Sequence, residues 1–278
     1  MRVLVVAKIP LSGRLRSEDL ERLLASGALD HERLTDAARC HHHALAVVRQ
    51  ALADDEVLER TVDTLAQDDD QDCDLVVTVG GDGTVFTANA LGGAVPLLTV
   101  NSDPAHSIGH FTRATADSVA EVLARVRAGT AQREQLPQLQ ASVGLASWRI
   151  LNDCLFSSRN PAAMSKYLLE VDGQREQQRS SGVWIATASG STAAIHSAGA
   201  TPVEAHQGAL LFRVREPFQG RLISTILQGT QLPPRSLRLT PATPGLSLYI
   251  DGPNISCELP AGASVVFGAA PRPLTLLV

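Results

Sequence analysis

An α/β first lobe built on an open parallel sheet, followed by a mainly antiparallel β second lobe, is predicted by three features of the sequence. Short, continuously apolar runs at Val3 to Ala7, Leu75 to Val79 and Val95 to Val100 alternate with helical stretches through the first third of the chain. Strands buried on both faces of a parallel sheet read in this way. Beyond Gly129, short β-rich segments recur between turn signals such as Asp172-Gly173 and Pro233-Pro234, which is the pattern of antiparallel sheets. Between the two regimes, Gly80-Gly81-Asp82-Gly83-Thr84 closes the second apolar run abruptly, and open α/β sheets bind ligands outside the carboxyl ends of their strands.

In chain order, Val3 to Ala7 is the first strand. Ser17 is expected to cap a short helix with Leu20, Leu23 and Leu24 on one face and Gly27 at its end. A longer helix follows from about Thr35, with Leu45, Val48 and Leu52 at helical spacing, and runs toward the acidic segment Asp68 to Asp70. Like charges in a block repel, so that segment reads as a solvated loop. His41, His42 and His43 point about 100° apart on a helix and cannot all face one metal, so they read as a surface helix. Thr84 to Ala90 is the next helix, and Ser118 to Arg127 another, with a capping box in Ser118 and Glu121.

The β-rich segments are Leu139 to Val143, Trp148 to Leu151, Leu168 to Val171, Val183 to Thr187, Leu210 to Val214, Leu246 to Ile250, Ser264 to Phe267 and Leu274 to Leu277, with one helix at Ser191 to Ala198. The division expected is an α/β lobe over 1–113 and a β-rich, ligand-binding lobe over 114–278, its C-terminal tail packing back on the first.

Length and composition narrow the function classes. A chain of 278 residues accommodates two lobes, and 44% hydrophobic residues exclude a disordered chain. Apolar stretches fall short of the roughly 20 residues that span a bilayer, so no membrane partner is expected. The net charge of −5 argues against a dedicated nucleic-acid binder. Cys40, Cys73, Cys154 and Cys257 are scattered singly, which points to a reducing compartment rather than a disulfide framework. With no signal-peptide pattern in MRVLVVAKIP, a cytoplasmic location is expected.

Four constellations carry chemistry. In the glycine turn, backbone N–H groups can approach phosphate oxygens while Asp82 is held at the crevice; the other reading is that Asp82 caps the next helix. No Walker lysine follows, and Phe86 stands where a dinucleotide fingerprint has its third glycine. Thr187-Ala188-Ser189-Gly190-Ser191-Thr192 supplies hydroxyls and backbone N–H groups that either cradle phosphate or ribose oxygens or serve as a helix cap. Asn152-Asp153 offers donors and acceptors suited to ribose hydroxyls, or forms an ordinary turn. In NSDPAHSIGHF, Pro104 and Gly109 prevent the continuous helix that a zinc site at His106 and His110 requires. Asp251 before Gly252 either lines the cleft or sits in a β-turn. Arg113, Arg159, Lys166 and Arg179 are available to steady phosphates.

Taken in order, GGDGT at 80–84, NSDPAHSIGHF at 101–111, ND at 152–153, RSSG at 179–182, TASGSTAA at 187–194 and YIDG at 249–252 resemble the NAD kinase family. The resemblance covers about two thirds of the chain and gives no specific match for residues 1–70. The NSDP and RSSG variants are similar to the branch with plant NADH kinase and animal mitochondrial NAD kinase. The resemblance implies phosphorylation of the 2′-hydroxyl of the adenosine ribose in NAD or NADH, giving NADP or NADPH.

On that resemblance Asp82 corresponds to the general base, with Gly81, Gly83 and Thr84 in the turn beside the ligand. Asn152 and Asp153 contact the dinucleotide, and Ser189, Gly190, Ser191, Thr192 and Ser197 cradle it, with Asp251 at the cleft. Two departures stand out: Arg179-Ser180-Ser181-Gly182 lacks the Asp of the family's Arg-Gly-Asp-Gly, and Thr192-Ala193-Ala194 lacks the Tyr of its Thr-Ala-Tyr. The implied donor is ATP or polyphosphate with Mg²⁺ or another divalent cation, and the implied assembly a homodimer or homotetramer formed by the β lobe. The rival readings are a lipid or other small-alcohol kinase of the same superfamily and a non-catalytic dinucleotide-binding protein.

Overall fold

The computed structural model describes residues 1–92, 94–220, 224–253 and 255–278. The chain forms two compact units, residues 1–134 with 275–278, and residues 135–274.

The first unit contains, in order, β1 (Arg2–Ala7), α1 (Leu11–Arg14), α2 (Ser17–Ala25), α3 (His31–Ala51), β2 (Glu56–Thr61), β3 (Leu75–Gly80), α4 (Asp82–Asn89), β4 (Leu97–Asn101), β5 (Ala114–Thr115), α5 (Val119–Arg127) and β6 (Arg133–Leu136). The strands line up as β2-β1-β3-β4, then the last strand of the chain, Leu274–Leu277, then β6, with β5 pairing β4. Pairings of β1 with β2 and β3, of β3 with β4, and of β4 with β5 and with the last strand are all parallel. Val3, Val5, Val77, Val79, Leu98 and Val100 have no exposed surface and pack against Ala44 and Val48 of α3 and Val119 and Leu123 of α5. Each such buried side chain contributes about 1.5–3 kcal/mol.

Several local expectations need correction. Ser17 is the first residue of α2, Arg16 takes the N-cap position, and none of that helix's residues is buried. The long helix begins earlier than Thr35, because the Asp30 side chain accepts a hydrogen bond from the Arg33 amide and caps it at His31. It also ends earlier, at Ala51, leaving room for the edge strand β2. His41 is buried, unlike its exposed neighbours His42 and His43. Burial, reinforced by the charge of Lys8, pushes its ring down to about 4. Ser118 does sit at the N-cap of α5, but its hydroxyl accepts from the Thr115 amide and no capping box forms.

The second unit contains β7 (Leu139–Val143), β8 (Ala146–Ile150), β9 (Asp153–Ser158), β10 (Ser165–Val171), β11 (Gln174–Ser180), β12 (Gly182–Thr187), α6 (Ala194–Ser197), β13 (Leu210–Arg215), β14 (Gln228–Gln231), β15 (Leu237–Pro241), β16 (Leu246–Ile250), β17 (Ile255–Leu259) and β18 (Val265–Ala269). They form two six-stranded sheets, β11-β10-β15-β18-β7-β8 and β14-β13-β12-β9-β16-β17. Phe156, Ile185, Phe212 and Leu248 from one sheet and Tyr167, Leu169, Leu239 and Phe267 from the other share one core. The expected helix 191–198 shrinks to the single turn α6. The final strand, β19 (Leu274–Leu277), pairs with β4 in the parallel sheet of the first unit. The boundary lies at 134/135 rather than 113/114, because β5 and α5 pack in the first unit.

Candidate functional site

In the first unit, the chain leaves β1 for β2 on one side and then crosses to β3 on the other. The order therefore reverses between β1 and β3, a switch point of the kind at whose carboxyl ends open α/β sheets bind ligands. The Lys8 amide donates to the Val79 carbonyl at 2.9 Å, so β1 and β3 end together. A Cβ at Gly80 would run into the Thr84 side chain and approach Lys8 Cβ at 3.1 Å, which is why this exit from the strand is glycine.

Asp82 stands in the first turn of α4, behind Gly81 at the N-cap, and the helix has no side-chain cap. Its carboxylate reaches across to the 110–111 loop instead. One oxygen accepts from the His110 amide at 3.0 Å and the other from the Phe111 amide at 2.8 Å. A carboxylate has about four lone-pair directions, so each oxygen keeps one free. The capping alternative for Asp82 is thus replaced by a loop anchor that leaves accepting capacity.

That loop is fixed by its own sequence. Asn101 Oδ1 accepts from the Asp103 amide at 3.0 Å, and Asp103 Oδ1 meets His106 Nδ1 at 2.9 Å. Gly109 has φ +61° and lies against Asn101 and Thr112, where a side chain would collide. Phe111 is buried, its ring edge-on to Phe86 at 5.4 Å. Ser102 Oγ is buried among these residues without a partner.

In the second unit, Asp251 organises the other constellation. It is 5% exposed, with φ +48°, and its two oxygens accept from three consecutive amides: Leu151 at 2.8 Å, Asn152 at 2.8 Å and Asp153 at 3.2 Å. Burial pushes its carboxyl up to about 7 against the pull of those amides. Burial likewise pushes Asp153 up to about 6, opposed by the Ala194 amide. Thr187 Oγ1 donates to the Leu151 carbonyl at 2.7 Å and accepts from the Gly190 amide at 2.9 Å. Gly190 itself presses on the Asn152 backbone, with no room for a Cβ. Gly190→Ala is therefore expected to cost about 1–3 kcal/mol in a urea melt and to displace Asn152; an unchanged midpoint would count against this contact.

Some sequence expectations change here. Asp251 accepts from three backbone amides and so shapes the Asn152-Asp153 segment. Ser189 Oγ donates to the Ala205 carbonyl, and Ser191 Oγ donates to the Val203 carbonyl while accepting from its amide. Both are buried ties to the 203–205 loop, so of the hydroxyl block only Thr192 is exposed, together with Ser197 beyond it. Arg113 is held by Glu134 at 2.5 Å and 3.0 Å, and Arg159 by Glu258 at 2.7 Å. Lys166 and Arg179 are cross-strand partners on β10 and β11. Sequence reasoning counted Thr187 among the cradle's hydroxyls, where the structure ties it to the Leu151 carbonyl and the Gly190 amide, and it did not single out Lys8, which follows the first apolar run.

The class these features define is that of two-unit proteins in which an open α/β sheet is joined to an antiparallel β unit. The family described as ATP-NAD kinase N-terminal domain matches residues 17–131. A probable NADH kinase of Oryza sativa is 34% identical over 178 residues, 54% of each chain. An NADH kinase of Arabidopsis thaliana is 30% identical over 227 residues, 70% of this chain and 69% of its own. Thus the matched stretch spans about half of the rice relative and just over two thirds of the Arabidopsis one.

Among solved structures, an NAD kinase from Archaeoglobus fulgidus in complex with ATP superposes with TM-score 0.70 at 20% identity, over 100% of this chain and 94% of that one. Yeast NADH kinase complexed with NADH gives 0.69 at 16%, over 100% and 83%. The chain belongs to the NAD kinase family.

Proposed function

We propose that the protein transfers a phosphoryl group from ATP to the 2′-hydroxyl of the adenosine ribose in NAD or NADH, giving NADP or NADPH. The observation that carries this reading is the Asp82 carboxylate, fixed at the carboxyl edge of β3 by the His110 and Phe111 amides and still able to accept one more proton. Phosphoryl transfer asks mainly for alignment and charge stabilisation. Asp82 orients the attacking hydroxyl and takes its proton, while the amides around Gly81, Gly83 and Thr84 lie beside the phosphates.

Asn152, Asp153, Thr192 and Ser197 bind the dinucleotide. Asp153 is raised to about 6, so it passes between donor and acceptor of a hydrogen bond near neutrality. Ser189, Gly190, Ser191 and Asp251 hold that surface in shape. Among the described residues no three His, Cys, Asp or Glu side chains converge as a metal-ligand set. The divalent cation, Mg²⁺, enters as part of the Mg·ATP substrate, which suits an ion that keeps waters and binds through phosphates. Kinship with proteins named NADH kinase supports NADH as an acceptor beside NAD. No described helix is long and apolar enough to cross a membrane, and we place the protein in the cytoplasm as a homodimer or homotetramer.

A donor-by-acceptor matrix tests the assignment: ATP or polyphosphate with Mg²⁺, against NAD, NADH or a lipid alcohol. NADP or NADPH formed with ATP is the expected result. Phosphorylation of the lipid alcohol alone, or of nothing, overturns it.

A further inference from the structure

Lys8 is the first residue past β1, at the side of the crevice opposite Gly80. Its side chain is half-buried, yet among the described residues no hydrogen bond or ion pair engages its ammonium. The carboxylate whose field reaches it is Asp103, at the end of β4, which already bonds His106. Burial pulls Lys8 below the ordinary lysine range, with Asp103 opposing. A desolvated, unpaired ammonium is costly and calls for an anion to offset it.

The surroundings hold the residue in place. The backbone of Lys8 is bonded to Val79 and accepts from the His41 ring, which is buried, neutral and otherwise unpartnered at Nδ1. Lys8 and Arg14 line a cavity of about 180 Å³, together with Ile9, Pro10 and Leu11 and with Leu34, Ala37 and Ala38 of α3. Apart from the two cations these lining residues are apolar, and of the two it is Lys8 whose Cβ lies beside Gly80. The absence of a Cβ at Gly80 lets the two strand ends approach closely there.

We propose that Lys8 is a donor-side catalytic residue, its ammonium pairing with the phosphate chain of the donor at the β1/β3 crevice, with Arg14 as a second, outer cation. This assignment rests on the phosphotransferase reading above. In the step it serves, the bond between the terminal phosphorus and the bridging oxygen breaks and its electron pair leaves with ADP. A new bond forms from phosphorus to the ribose 2′ oxygen, whose proton passes to Asp82. Lys8 keeps its proton throughout and offsets charge on the transferred group and the departing oxygen, as preorganised cations do.

The test uses the full chain carrying Lys8→Met, Lys8→Arg and Arg14→Met. Lys8→Met preserves the apolar stem and, by thermal melting, is expected to remain folded. Its kcat/KM for ATP should fall about 10²- to 10³-fold, with KM for NAD within about three-fold of wild type and Kd for Mg·ATP raised at least about ten-fold. Lys8→Arg should recover at least about ten-fold of the loss, and Arg14→Met should lose less than Lys8→Met. Parallel titrations with polyphosphate identify which phosphate chain the cation serves, since only the true donor's affinity drops.

Unchanged ATP parameters in Lys8→Met, or a loss that falls on KM for NAD, would overturn the proposal. Should Lys8→Met fail to fold, Lys8→Arg and Arg14→Met carry the same comparison, and wild-type ATP affinity in both would likewise overturn it. If the wild type forms no NADP or NADPH, the functional reading fails on its own. Lys8 is then judged by phosphate-chain affinity alone.

Discussion

Asp82→Asn is expected to lower kcat for NADP formation by about 10²- to 10⁴-fold, the usual worth of a positioned base, while Kd for NAD stays within a few-fold of wild type. The amide oxygen of Asn still accepts one of the two loop amides, but its NH₂ group faces the other. The 110–111 loop should therefore loosen, at a cost of about 1–3 kcal/mol for one unsatisfied donor, without unfolding the sheet. A melt separates the two effects: a variant whose Tm falls by no more than several degrees while kcat falls by at least about 10²-fold is the expected outcome. NADP formation at the wild-type rate would remove Asp82 from the role of base.

Asp251→Ala should be the most damaging change to the second unit, because it strands three amides that share one buried carboxylate. A loss on the order of 3 kcal/mol or more is expected in urea melts. The pH dependence follows from the same group. Its folded value is about 7, against roughly 3.9 in an unfolded chain. Between those values the folded state holds a proton that the unfolded chain has released. The stabilisation is therefore complete below about pH 4 and fades as pH rises through about 7, by roughly 4 kcal/mol at most.

His41 works in the opposite direction. Its folded value of about 4 means that its contribution is lost as pH falls from about 6.5. The raw curve sums these two with Asp153, whose raised carboxyl acts in the same direction as Asp251, so the measure is wild type minus Asp251→Asn, which removes the Asp251 titration. That difference should fall between about pH 4 and 7. A difference that stays flat or climbs would show that Asp251 is ionised throughout.

What the sequence made legible follows from how each element is held. Strands β1, β3 and β4 are buried on both faces and so are built mostly from apolar residues, with only Thr78 and Thr99 inside the runs, which makes all three legible. Strand β2, reading EVLERT, lies at the sheet's edge and needs only its backbone ladder with β1, so its side chains carry no such signature. Strand β11, reading QREQQRS, contains no apolar residue. It exists because Asp172 and Gly173, at φ +52° and +77°, turn the chain back onto β10, and because Ser180 meets the Tyr167 hydroxyl at 2.9 Å.

The site divides in the same manner. The residue types of the glycine turn and the Asn-Asp pair announce themselves locally. What Asp82 and Asp251 bind does not, since their partners are backbone amides 28 to 100 positions away. Ser189 and Ser191 show the converse, for their hydroxyls invite a ligand on paper and are consumed by a neighbouring loop.

Strand β19 sits between β4 and β6 in the first unit's sheet. On a ribosome, residues 1–134 emerge without the strand that separates β4 from the edge strand β6, and that place is not filled until the whole β unit has been translated. The nascent chain must meanwhile carry two unpaired strand flanks, each a template for pairing with a neighbouring polypeptide. Chaperone dependence during synthesis, rather than low stability once finished, is the vulnerability this threading builds in.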